Sequence, residues 1–123
     1  MTKFSLVLLK IVAAFIMLQT LFFKFSGAQE SINLFTKIAG DHEAMMRIGT
    51  GVLEFTAAIL LFVPKKTWLG ALLTVGLMGG AIASHLTILG IVFNDDGGTL
   101  FSSAMLTFLA GAILLIHNKK EIP

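Results

Sequence analysis

Glu54 is the residue whose type is least expected where it stands. It lies near the midpoint of Ala44 to Pro64, AMMRIGTGVLEFTAAILLFVP, a run long and apolar enough to cross a bilayer. A carboxylate at the bilayer centre costs roughly 2.5 to 3.5 kcal/mol on insertion scales unless it is protonated, paired or wetted. Glu54 therefore reads as a proton-accepting group in a polar pocket that opens to the outer face, and the chain must supply its partners. Arg47 lies about two turns away on the same helical stripe, and His85 sits in a later apolar run. Lys24 ends the first run, with Gln19 about one turn below it on a different face. In this reading His85 hydrogen-bonds a carbonyl or relays a proton, and Lys24 and Arg47 attract an anion at the mouth. The alternative is a buried polar network that fixes helix register and performs no chemistry.

These residues must be positioned by membrane helices. Advancing 100° per residue puts Arg47, Gly51, Glu54 and Ala58 on one stripe, with Ile48, Val52, Phe55, Ile59 and Phe62 opposite. Water would invert that arrangement, whereas lipid solvates the phenylalanines and lets small residues face neighbouring helices. Composition agrees: 123 residues are 56% hydrophobic and 13% charged, about half the usual charged fraction of ~25% for soluble domains. The absence of Cys removes disulfides, thiolate metal sites and iron–sulfur ligation by this chain.

Four apolar segments predict an all-α, four-transmembrane-helix bundle forming a single membrane domain over residues 1–123, with helices at about 4–24, 44–63, 68–93 and 100–117. Lys10 lies near enough to the end of the first segment to snorkel to the interface. A signal peptide is the competing reading of that segment, but Lys24 and Phe25 interrupt the approach to the small residues Ser26, Gly27 and Ala28. Ile32, Phe35, Ile38 and Ala39 recur at helical spacing, which predicts a short amphipathic helix in the first outer loop. Pro64-Lys65-Lys66-Thr67 is a polar turn. Gly76, Gly80 and Ser84 form two overlapping small-xxx-small steps, the spacing expected of a helix-packing face. Asn94-Asp95-Asp96-Gly97-Gly98 reads as a turn without the alternating ligand spacing of a calcium loop.

With four crossings, Lys3, Lys65, Lys66, Lys119 and Lys120 share one side and Lys24, Lys37 and Arg47 the other, which favours cytoplasmic N- and C-termini. Glu54 then lies ~15 Å and His85 ~12 Å below the same outer surface, at nearly matching levels on oppositely running helices. Their side chains lean toward one another, whereas that of Arg47 leans away from Glu54, so a direct pair of Arg47 with Glu54 would be stretched. His42 and His117 fall at opposite surfaces, so no bis-histidine haem pair is expected, and no metal site is. No phosphate loop or nucleophilic triad appears, since Ser84 and His85 point about 100° apart.

The strings Lys24-Phe25-Ser26-Gly27-Ala28 with Glu30, Arg47 to Glu54, Met78-Gly79-Gly80-Ala81 and His85 to Gly90 together resemble the DoxX family of small bacterial membrane proteins. The resemblance runs from the first helix to Phe101 and implies a multi-pass four-helix bundle in the cytoplasmic (inner) membrane. Some members are associated with quinone-linked membrane oxidoreductases, and distant relatives assist membrane-protein assembly. The leading expectation is an accessory subunit of such an oxidoreductase rather than a stand-alone enzyme. No covalently bound cofactor is implied, and a quinone headgroup is the ligand expected at Lys24, Arg47, Glu54, His85 and Gln19. The lipid bilayer, a membrane or peripheral oxidoreductase subunit and a second copy of the chain are the expected partners, and nucleic acid is not. A non-catalytic chaperone or interaction module is the alternative, and an oligomeric small-solute carrier the third reading.

Overall fold

The structure is a computed structural model and describes residues 2–91 and 98–122. It contains α1 (Lys3–Ser26), α2 (Gln29–Ala39), α3 (Glu43–Leu61), α4 (Thr67–Ser84) and α5 (Thr99–His117). A 3-10 turn, Gly40–His42, joins α2 to α3, and a π-helical turn, His85–Leu89, continues α4. No strand occurs among the described residues. Four helical stretches are long and apolar enough to cross a membrane: Lys3–Ser26, Gln29–Leu61, Thr67–Leu89 and Thr99–His117.

Helix ends follow from backbone chemistry. Gly27 at φ 73° and Gly40 at φ 59° stop α1 and α2 in a conformation that L side chains resist. After α3, Lys65 takes φ 66° and Thr67 donates its hydroxyl to the Leu61 carbonyl, closing the turn into α4. The third apolar run departs from the expected helix 68–93. Its α-helix stops at Ser84, the π turn follows, and Gly90 at φ 82° ends it. Across the end of this turn the His85 ring Nδ1 donates to the Gly90 carbonyl at 2.9 Å, which satisfies a helix-end acceptor. The expected turn at Asn94 to Gly98 lies outside the described residues except for Gly98, which precedes α5 at φ 83°.

The spans form a ring in which α1 and α4 each pack against both α3 and α5. α2 lies across one end, against α3 and the π turn. It buries Phe35 and exposes Gln29, Asn33, Thr36 and Lys37. Toward the opposite end, Ala13, Ala57, Ala58, Leu61, Ala71, Ala110 and Leu114 form a core of mostly small side chains, which lets the helices approach closely. A methyl group at Gly70 would come within 2.7 Å of the Leu61 backbone nitrogen, and one at Gly111 within 3.0 Å of Thr74.

The expected packing face of Gly76, Gly80 and Ser84 does not serve that purpose within the chain. A Cβ added at Gly76 or Gly80 meets nothing within 4 Å. The close approaches fall at Gly70, against α3, and at Gly111, against α4, whereas Gly76 and Gly80 border the cavity described below.

Candidate functional site

The inverted stripe on α3 is realised. Arg47, Gly51, Glu54 and Ala58 are buried, and Ile48, Val52, Phe55, Ile59 and Phe62 are exposed. Gly51 sets the distance to α1, since a Cβ there would come 2.7 Å from the Phe25 ring. With the two helices that close, Lys24 reaches across one turn below Gly51 and its Nζ pairs with Glu54 Oε1 at 2.8 Å. The two side chains retain only 13% and 4% of their surface. A second Nζ hydrogen goes to Thr20 Oγ1 at 2.8 Å, and Thr20 in turn donates to the Met17 carbonyl at 3.0 Å. The carboxylate is thus neutralised by an ammonium that is itself held in place, the arrangement a buried ion pair requires to offset desolvation.

Arg47 is assigned elsewhere. Its Nε donates to Glu43 at 3.0 Å and its Nη1 to the Lys24 carbonyl, so it clamps the end of α1 onto α3. It is buried and does not line the cavity described next, so the expected ligand-binding role at the mouth does not fall to it. The lean of its side chain toward the start of α3 separates it from Glu54, as the sequence implies.

Above the small-residue core the helices enclose a cavity of about 770 Å³, within the range of small-molecule sites. Lys24, Glu54, His85 and Gln19 all border it, which brings four of the five expected ligand-binding residues to one space. Met17, Leu34, Phe35, Ile38, Leu77, Met78 and Leu89 supply apolar wall. His85 is 4% exposed, stands edge-on to Phe101 at 5.8 Å between ring centres, and makes no hydrogen bond to Glu54. Because a carbonyl can only accept, Nδ1 carries the proton, and in the neutral ring Nε2 is left as an acceptor.

Exposed residues among the lining mark where the cavity meets the surface. Gln19 on α1, Glu30 on α2, Met46 on α3, Gly76 and Gly80 on α4 and Leu100 on α5 are of this kind. The two glycines lie inside a stretch long and apolar enough to cross a membrane, and a Cβ added at either meets nothing within 4 Å. Their lack of side chains, read in the sequence as a packing device, here leaves space beside the wall.

Sequence reasoning missed Thr20, which fixes the ammonium, and Gly90, which fixes the imidazole. A threonine four residues before Lys24 was a usable signal, since i and i+4 share a helix face. Among the described residues no group of three or more His, Asp and Glu side chains could hold a metal ion.

Fold and cavity define an integral membrane four-helix bundle with a buried ion pair and an imidazole in the wall of a largely apolar chamber. The chain belongs to the DoxX family, whose profile matches residues 5–89. No curated protein and no solved structure matches it.

Proposed function

We propose that the cavity receives the headgroup of a quinone-type molecule, and that the chain acts as the quinone-facing accessory subunit of a membrane oxidoreductase. One observation carries this reading: a largely apolar cavity, bordered by residues of stretches long and apolar enough to cross a membrane, holds the buried Lys24–Glu54 pair and His85 in its wall. An amphiphile dissolved in the bilayer has a body suited to the Leu34, Phe35 and Leu77 walls and a polar ring suited to the buried end. When bound, such a ring supplies the electron-carrying chemistry. The protein residues orient it, exclude water and offer hydrogen-bonding atoms, and a partner subunit would hold the other redox centre. Family membership supports a bacterial cytoplasmic membrane, and the lysine distribution supports both termini inside, which turns the end covered by α2 outward.

An anion has little reason to bind, since Lys24 is paired with Glu54 and Arg47 with Glu43. Native mass spectrometry of protein extracted with its own lipids tests the proposal. A quinone-sized mass retained by the wild type and lost from an equally folded Glu54→Gln variant is the expected result. A wild type that carries no such mass, but retains co-purifying membrane proteins irrespective of Glu54, would replace this reading with an interaction or assembly module.

A further inference from the structure

Among the charged and imidazole groups of Lys24, Glu54 and His85, the cavity carries more hydrogen-bond acceptors than donors; lining hydroxyls such as that of Ser103 can serve as either, and Gln19 lies at the exposed part of the lining. A carboxylate has about four lone-pair sites. Lys24 is the one polar partner of Glu54 among the described residues, so acceptor capacity of the carboxylate remains. His85 commits its Nδ1–H to Gly90, and its Nε2, an acceptor whenever the ring carries a single proton, has no protein donor among the described residues. Against these, the Lys24 ammonium has a single hydrogen left after Glu54 and Thr20. Both acceptor residues are nearly fully buried, Glu54 at 3% and His85 at 4% exposure, and both border the cavity. No fully buried side-chain nitrogen or oxygen among the described residues lacks a partner, so an unpartnered atom of Glu54 or His85 keeps some accessible surface, and the cavity is the space that both residues border.

We infer that the site is built for a headgroup that donates hydrogen bonds: resting on the quinone-type reading above, it selects the hydroxyl-bearing reduced form over the dicarbonyl oxidised form. A quinol presents two O–H donors to Glu54 and His85, and its ring oxygens can still accept from Lys24. A quinone presents acceptors to acceptors. It leaves Glu54 and Nε2 desolvated and unpaired, which is the costly outcome for buried polar groups. Recognition of an O–H by a site built to bond it discriminates strongly against the analogue lacking it. Preferential binding of the reduced form also makes the bound couple easier to reduce than the free one.

The test uses the full chain in lipid nanodiscs under anaerobic conditions and three probes: a short-chain alkyl hydroquinone, the corresponding quinone, and the hydroquinone dimethyl ether. Equilibrium dialysis should give a dissociation constant about tenfold lower for the hydroquinone than for the quinone, in line with one to two good hydrogen bonds. The dimethyl ether should bind no better than the quinone. A redox titration of the bound couple should shift upward by about 30 mV for that tenfold preference. His85→Phe removes one acceptor and should cut the preference to about threefold or less, and Glu54→Gln, which replaces an acceptor oxygen with an amide donor, should weaken hydroquinone binding about tenfold and erase the preference. Equal or reversed affinities of the wild type overturn the donor-selective site while leaving the quinone-type reading in place. Failure of all three probes to bind overturns both.

Discussion

Lys24 and Glu54 are energetically one unit, because each charge is buried and each is the other's countercharge. Breaking a buried pair from one side leaves an uncompensated charge, so Lys24→Met should cost about 3–5 kcal/mol. Adding Glu54→Gln to that variant should recover a large part of the loss. Thermal unfolding of the four members of this double-mutant cycle in one detergent checks the prediction, and a double variant no more stable than Lys24→Met contradicts it. The sequence singles out Glu54 unaided, since few residues are as expensive in an apolar run. It does not single out Lys24 over His85 or Arg47. That choice depends on how closely α1 and α3 approach at Gly51 and Phe25, a contact between helices that periodicity within one helix does not contain.

At the scale of elements, the glycines divide into two groups. Gly70→Ala places a methyl against the Leu61 and Ala57 backbone, which cannot yield as a side chain can, and should cost about 1–3 kcal/mol. Gly80→Ala meets nothing within 4 Å and should be neutral, or stabilising by up to about 1 kcal/mol through helix propensity. Melting temperatures of the two variants in the same detergent check this ordering; a more destabilising Gly80→Ala would restore the packing role that its spacing suggests. Gly80→Leu should fold yet weaken binding of a quinone-type probe about tenfold or more by filling the space at the opening, and unchanged binding would place the entrance elsewhere. The small-xxx-small pattern identifies residues that permit close approach, but small residues also leave space where no helix comes near. The π turn was similarly hidden. It is accompanied by a side-chain bond from His85 to Gly90, whereas hydropathy continues without a break to Phe93.

At the scale of the molecule, hydropathy and the lysine-bearing connections sufficed for four spans, because each run is long, apolar and bounded by charge. The ring order of the helices, the half-open upper bundle and the placement of α2 over it were not readable, since they depend on which side chains interlock. Orientation is testable without background, as the native chain has no Cys. Lys37→Cys should react with a membrane-impermeant maleimide from outside intact cells, and Lys120→Cys only after permeabilisation; the reverse pattern would turn the cavity end toward the cytoplasm. The central claim, that the upper cavity holds a quinone-type headgroup, is tested most directly by photolabelling the protein in nanodiscs with an azido-quinone and mapping the labelled peptides. Labelling concentrated at Met46 to Glu54 and Leu77 to His85, and competed by unmodified quinol, is the predicted result. Labelling confined to the outward apolar groove of Leu86, Phe108 and Leu109, with none in the cavity wall, would contradict it.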